Sequence, residues 1–147
     1  MSKQIDPRGP RFGAAITSVA LLVTIYLGLD NATENAAFWL LVAIDALFLF
    51  GAVFGNSAHP YGLIFKKLVR PRLGAPKELE DATPPQFAQG VGFFVASIGV
   101  VLGLLAVPYG VVYAAAAAFF AAFLNAAFGY CLGCQIFLGL KRLKVIR

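Results

Sequence analysis

The chain has 147 residues, of which 60% are hydrophobic and only 13% are charged. Its mean hydropathy of +0.80 excludes an ordinary soluble domain. The formal net charge of +5 does not indicate nucleic-acid binding, because in so apolar a chain it is better explained by membrane topology and anionic lipid headgroups.

Four segments are close to the roughly 20 apolar residues that a helix needs to cross a bilayer. They comprise residues 13–29, 36–55, 87–107 and 111–130. The first segment follows basic residues, as a signal peptide does, but it ends without a small-residue cleavage site, so we expect it to be retained. The sequence predicts an all-α integral membrane protein, a single domain (1–147) built as a bundle of four transmembrane helices.

The basic residues alternate along this pattern. The N-terminus, the connection between the second and third segments, and the C-terminus carry all twelve: Lys3, Arg8, Arg11, Lys66, Lys67, Arg70, Arg72, Lys77, Lys141, Arg142, Lys144 and Arg147. The first and third connections contain none. By the positive-inside rule, we expect a multi-pass membrane protein with both termini in the cytoplasm.

Local signals predict where several helices begin and end. Thr83 offers a capping hydroxyl before two prolines, so the third long helix is expected to start there. The sequence Pro108-Tyr109-Gly110 predicts a tight turn between the last two helices. Residues 61–69 place apolar side chains against basic ones, which is typical of a short helix lying in the cytoplasmic interface, and Pro71 is expected to stop it.

Small and polar residues inside the apolar segments suggest how the helices meet. Glycines four residues apart let helix backbones approach closely, either within one bundle or across a homodimer. These pairs are Gly51/Gly55, Gly99/Gly103 and Gly129/Gly133.

Two polar residues interrupt the apolar segments. Asp45 lies about 14 Å from the outer end of its helix, where a carboxylate needs a partner. Thr17, Ser18 and Ser97 lie at similar depth and are its expected partners. Asp45 is expected either to relay protons or to be a neutral acid bonded to a neighbouring helix, and Asn125 to join helices or bind a ligand.

The only two cysteines, Cys131 and Cys134, fall in the fourth apolar run, which continues to residue 140 and is too long to cross the membrane once. A break at Gly129 would place Cys131 at the membrane surface in the first turn of a new helix. There two residues of spacing permit a disulfide and the helix dipole favours a thiolate, so Cys131 would attack and Cys134 would resolve. In mid-helix the same spacing is poorly placed for a disulfide. The alternative is that both cysteines are ordinary apolar packing residues.

Other site chemistries find little support. Two cysteines cannot complete a four-ligand zinc site, and no histidine follows Cys134 for covalent haem attachment. The single histidine, His59, rarely suffices for a membrane haem, and neither a phosphate-binding glycine loop nor a Ser-His-Asp set is present. The sequence therefore predicts neither a metal nor a cofactor.

Four stretches of the sequence are informative together: IDPRGPRFGAAIT (5–17), PYGLIFKKLVRPRLG (60–74), ELEDATPPQFAQ (78–89) and FLNAAFGYCLGCQ (123–135). They resemble a bacterial membrane family catalogued as domain-of-unknown-function family 4395, and this resemblance implies a location in the bacterial inner membrane. The resemblance implies a four-helix membrane protein whose genes often lie beside, or are fused to, thioredoxin-like and rhodanese-type sulfurtransferase proteins. It carries the Cys-x-Gly-Cys element onto Cys131 and Cys134, with Asn125 in the matching position, and it implies no established activity.

Three functions follow as expectations. The leading one is a membrane-embedded dithiol module that exchanges disulfide or sulfane sulfur with a cytoplasmic thioredoxin-like or sulfurtransferase partner, in the manner of a thiol-disulfide oxidoreductase component. Its site is Cys131 and Cys134, supported by Asn125, Asp45, Gly129 and Gly133. The second is a non-catalytic membrane anchor or assembly subunit, and the third is a small-solute transporter acting as a dimer.

Overall fold

A computed structural model describes residues 4–55, 59–75 and 78–145, and 79% of these residues are helical. Four helices are long and apolar enough to cross a membrane: α1 (Arg8–Gly28), α2 (Glu34–Phe54), α5 (Thr83–Leu104) and α6 (Gly110–Phe128). The predicted four-helix membrane bundle is confirmed. Lys3, Lys77 and Arg147, three of the residues on which the predicted orientation rests, lie outside the described residues.

The long helices pack in a ring, in which α1 contacts α2 and α6, and α5 contacts α2 and α6. The core contains Leu21, Leu41, Ile44, Ala96, Ala115 and Ala118. Glycines bring the backbones together: a Cβ at Gly99 would lie 2.5 Å from that of Ala114, and one at Gly103 would lie 2.7 Å from the Phe38 ring. These contacts lie within one chain, so they favour the packing interpretation of the glycine pairs.

The bundle has two unlike ends. At one end, called here the short-loop end, two tight connections join α1 to α2 and α5 to α6. The turn predicted at Pro108-Tyr109-Gly110 is confirmed, with Tyr109 in the left-handed region (φ 58°) directly before α6. Exposed Tyr26, Trp39 and Tyr113 stand near this end, as aromatic residues do at a membrane–water boundary.

The other end, called here the basic end, holds both termini and the connection between α2 and α5. This connection contains α3 (Pro60–Ile64), a π-helical turn (Phe65–Val69) and α4 (Arg70–Leu73). The predicted short helix is therefore present, but the expectation that Pro71 stops it is wrong. Proline lacks the N–H that an α-helix needs and crowds the preceding turn. The wider π-helical turn comes directly before α4, which contains Pro71. Helix α4 ends at Leu73 and is followed by Gly74, whose φ is +78°.

A two-stranded ladder ties the N-terminus to the start of α5. Strand β1 (Gln4–Ile5) pairs antiparallel with β2 (Glu80–Asp81). The Asp81 carboxylate accepts a hydrogen bond of 2.9 Å from the Thr83 N–H. The prediction that the Thr83 hydroxyl caps α5 is wrong, since Thr83 is already helical and no side chain caps at Ala82. A carboxylate two residues earlier is a stronger acceptor for that first-turn N–H than a hydroxyl.

Candidate functional site: a disulfide at the start of the last helix

The long fourth apolar run is divided at Gly129, as predicted. Gly129 adopts the left-handed conformation (φ 68°), which glycine reaches without strain. Its N–H donates to the Asn125 carbonyl at 3.0 Å, and the Tyr130 N–H donates to the Leu124 carbonyl at 3.2 Å. These bonds close the end of α6 and let the chain turn into α7 (Leu132–Arg142).

Cys131 caps the new helix. Its backbone is extended (φ −92°, ψ 106°), and its sulfur accepts a hydrogen bond of 3.1 Å from the Cys134 N–H. Cys131 and Cys134 form a disulfide, with their Cα atoms 5.1 Å apart, inside the usual range for a disulfide. The break at Gly129 thus puts the two cysteines at a helix start rather than in mid-helix, where their spacing would not suit the bond.

Helix α7 is held against the beginning of α5. A Cβ at Gly133 would lie 2.5 Å from both the Cα and the Cβ of Ala88, so only glycine permits this approach. One turn further along α7, Phe137 is buried and its ring centroid lies 5.5 Å from that of Phe87. Gly133 therefore allows the first turn of α7, which carries the disulfide, to pack closely against α5.

A cation that the sequence reasoning missed lies beside the break. The Arg11 guanidinium donates to the Ala126 carbonyl at 3.3 Å, in the last turn of α6. Its Cζ would lie 3.6 Å from a Cβ at Gly129, two residues before Cys131. The signal was available in principle, because Arg11 lies in the first turn of α1 and the fourth span must end at the membrane face where α1 begins. The sequence does not reveal that α1 and α6 are neighbours.

Two residues that were predicted to support the cysteines, Asn125 and Asp45, make no contact with them among the hydrogen bonds of the described residues. Asn125 contributes its backbone carbonyl to the end of α6, whereas its side chain makes no hydrogen bond among residues 4–55, 59–75 and 78–145. Asp45 meets one of its three expected partners: the Ser97 hydroxyl lies 3.1 Å from each carboxylate oxygen. Ser18 instead donates to the Ala14 carbonyl at 2.7 Å, and Thr17 is buried without a hydrogen bond to Asp45 among the described residues.

The Asp45–Ser97 pair is remote from the disulfide. Ser97 follows Ala88, which touches Gly133, by nine residues of α5, or about 14 Å at 1.5 Å per residue. The pair joins α2 to α5 inside the bundle, so the structure does not bring Asp45 together with the cysteines.

A second polar cluster lies at the basic end, and the sequence reasoning did not identify it. It surrounds a cavity of about 280 Å³, called here the basic-end pocket. The lining includes Ile5, Asp6, Gly9, Pro10, Gly13, His59, Tyr61, Phe65, Lys66, Arg70, Leu79 and Gln89. Most of these residues come from the stretches 5–17 and 60–74, so the polar residues outside the apolar segments were the available signal.

His59 is buried in this wall and is held as the neutral imidazole. Its Nε2 lies 3.0 Å from the Leu47 carbonyl, which can only accept, so Nε2 carries the proton. Its Nδ1 accepts from the Tyr61 N–H at 3.1 Å and thereby caps α3. Burial lowers the pKa of His59 below its ordinary 6.5, against the opposing effect of the Leu47 carbonyl.

An ion-pair network closes the pocket from the N-terminal side. The Asp6 carboxylate accepts from Arg8 Nε at 3.0 Å and Arg8 Nη2 at 2.8 Å, and Arg70 Nε lies 3.8 Å away. Arg8 also donates to the Gly74 carbonyl at 2.9 Å. The hydrogen bond from Arg8 lowers the pKa of Asp6 below its usual value, so this carboxylate is ionised and already paired.

The part of the chain that the structure describes contains no cluster of three or more His, Cys, Asp or Glu side chains that could hold a metal ion. The disulfide at the start of α7 and the basic-end pocket both lie at this end of the bundle.

The family model described as "Domain of unknown function (DUF4395)" matches residues 5–142. The match covers nearly the whole chain, so the protein belongs to this family, as the four sequence stretches indicated. The comparisons with curated proteins and with solved structures found no match.

Proposed function

We propose that this member of the DUF4395 family is a membrane-embedded dithiol module. In this proposal the Cys131–Cys134 pair exchanges disulfide or sulfane sulfur with a thioredoxin-like or sulfurtransferase partner. The protein would lie in the bacterial inner membrane with its basic end in the cytoplasm, where such partners are found. The observation that carries the proposal is a disulfide at the first turn of a helix that starts where a membrane span ends.

The position of Cys131 supports the division of labour between the two sulfurs. When the pair is reduced, the Cys131 thiolate can accept the Cys134 N–H and lies at the positive end of the α7 dipole. Cys134 lies inside the helix and has no equivalent cap. Both residues are partly exposed, as an exchanging sulfur must be. Cys131 is accordingly the attacking thiol and Cys134 the resolving one.

Disulfide exchange then proceeds in two balanced steps. The Cys131 thiolate attacks a partner disulfide, forms a mixed disulfide and releases one partner thiolate. Cys134, losing its proton, attacks the Cys131 sulfur, closes the intramolecular disulfide and releases the second partner thiolate. Two electrons pass from the cysteine pair to the partner, whose thiolates take up the protons. The reverse sequence reduces the pair with a partner dithiol.

Sulfane sulfur requires one different step. The Cys131 thiolate attacks the outer sulfur of a partner persulfide, so Cys131 becomes a persulfide and the partner leaves as a thiolate. Cys134 attacks the inner sulfur, closes the same disulfide and releases hydrosulfide. Both routes end in the oxidised state that the structure contains.

A trapping experiment tests the proposal. Cys134→Ser keeps the attacking thiol and removes the resolving one, so pull-down from membranes should capture a partner in a mixed disulfide that reductant releases. Cys131→Ser is the matched control and should capture at least tenfold less.

If the variant with both cysteines replaced by serine keeps the same partners and the same phenotype, the dithiol function is overturned and the membrane-anchor alternative is preferred. If the two single variants trap equally, the pair exchanges disulfides but the assigned division of labour is wrong.

A further inference from the structure

We propose that the basic-end pocket is a binding site for a phosphate-bearing ligand, with Lys66 and Arg70 as its charged contacts. This inference does not depend on the cysteine chemistry. It begins from the cavity, which at about 280 Å³ has the volume of roughly nine waters at about 30 Å³ each. That space holds a phosphate group together with a few attached heavy atoms.

The charges of the wall favour an anion. Lys66 and Arg70 both line the cavity, and Asp6 is the acidic residue among the lining side chains. The Arg8 guanidinium already donates to Asp6 from both Nε and Nη2, and burial keeps His59 neutral. The cavity therefore presents more positive than negative charge to whatever occupies it.

The two cations are available to a ligand. Lys66 makes no ion pair with any residue in the described ranges 4–55, 59–75 and 78–145. Arg70 lies 3.8 Å from Asp6, which is longer than a charge-assisted hydrogen bond of about 2.7–2.9 Å. Its guanidinium can therefore turn toward a phosphate oxygen while Arg8 retains Asp6. In a hydrogen-bonded salt bridge, by contrast, the guanidinium of Arg70 would already be committed to Asp6.

The setting of the pocket selects phosphate among anions. Exposed Leu63, Ile64 and Leu68 lie on the same short helical segment as the two cations, an arrangement that places apolar side chains toward lipid and basic ones at headgroup level. Phosphate groups are concentrated there, and basic pockets between membrane helices bind them. The apolar part of the wall, including Ile5, Phe65 and Leu79, can contact carbon atoms attached to the phosphate.

The test uses the full chain and a matched pair of variants. Lys66→Gln/Arg70→Gln removes the cations that line the cavity. Lys67→Gln/Arg72→Gln removes the same formal charge from neighbouring exposed residues that do not line it. Because Arg70 also lies near Asp6, the single variant Lys66→Gln serves if the double variant fails to fold.

Two measurements separate the sources of phosphate. Delipidated protein in neutral detergent is titrated with inorganic phosphate, against chloride of equal ionic strength, and its thermal unfolding midpoint is followed. Protein in nanodiscs containing phosphatidylglycerol and phosphatidylcholine is then examined by native mass spectrometry for retained lipid. Wild type and the Lys67/Arg72 variant should bind alike, and the Lys66/Arg70 variant should bind at least tenfold more weakly.

Preferential retention of phosphatidylglycerol without a response to inorganic phosphate would identify a lipid headgroup site. A response to inorganic phosphate without lipid retention would identify a site for a soluble phosphate compound. Equal losses in the two double variants would mean diffuse attraction to a basic surface and would overturn the proposal. The absence of both responses in the wild type would also overturn it.

Discussion

The two ends of the bundle differ in the length of their connections and, more strongly, in the chemistry of the residues they carry. The short-loop end joins its helices through two brief connections and carries exposed aromatic side chains. The basic end carries the disulfide, the pocket, the ion-pair network and the π-helical turn. The long apolar helices lie between them, so the charged side chains and the irregular backbone are concentrated where they can leave the lipid.

The largest expected effect tests whether the two ends lie on opposite sides of the membrane. In a background lacking Cys131 and Cys134, a single cysteine at Ala32 should react with an impermeant maleimide in intact cells. One at Ala75 should react only after permeabilisation, because the basic end is expected in the cytoplasm. The contrast should be nearly all-or-none, and reaction of both positions from one side would refute the four-pass arrangement.

The next effect tests how α7 is fixed at the basic end. Gly133→Ala introduces a Cβ 2.5 Å from the Ala88 backbone, and such overpacking should cost about 1–3 kcal/mol in the free energy of unfolding. Gly139→Ala is the control, because a Cβ there meets nothing within 4 Å and should stabilise the helix by up to about 1 kcal/mol. Thermal unfolding of both proteins measures the difference. Similar shifts in the same direction would show that α7 does not depend on close packing against α5.

A smaller effect concerns the buried histidine. The pKa of folded His59 lies below its unfolded value of 6.5, so between these two values the unfolded chain binds more protons. Neutral His59 therefore contributes to the free energy of unfolding. This contribution is complete above pH 6.5 and is lost as the pH falls toward the folded pKa. The thermal unfolding midpoint should therefore drop between pH 7.5 and pH 5.5.

His59→Asn keeps an acceptor for the Tyr61 N–H but loses the contact with Leu47, so it should cost about 1 kcal/mol and flatten the pH dependence. Glu80, whose pKa burial raises above its ordinary 4.5, is present in both proteins, so their difference isolates His59. A drop of equal size in both would assign the effect to another group.

The same comparison explains which features the sequence could predict. Apolar length gave the four spans, and Gly129 with the Cys-x-Gly-Cys spacing gave the helix break and the capped first turn, because these depend on neighbours along the chain. The pocket joins residues 5–13 to residues 59–70 and Gln89, and Arg11 meets Ala126 across 115 positions. Such contacts depend on which helices are adjacent, and composition does not contain that information. Thr83 and Asp81, two positions apart, can both cap the start of α5, and the capping preferences of Thr and Asp do not decide between them.

The smallest predicted effect asks whether Arg11 influences the sulfur chemistry. Its guanidinium adjoins Gly129, two residues before Cys131, and a nearby positive charge stabilises a thiolate. In the reduced protein, Cys131 (measured in Cys134→Ser) should react with a small maleimide at neutral pH faster than Cys134 (measured in Cys131→Ser). Arg11→Gln should slow the alkylation of Cys131 by about two- to fivefold, the size expected for an exposed charge interaction.

The control is Lys141→Gln. It removes a charge about 15 Å further along α7, beyond the screening length of about 8 Å in physiological salt, and should leave the rate of alkylation unchanged. Equal slowing by both would show that the basic end acts as a diffuse field, whereas no slowing by either would limit Arg11 to holding the end of α6. Slow, equal alkylation of both cysteines would identify them as inert packing residues and remove the basis for the dithiol proposal.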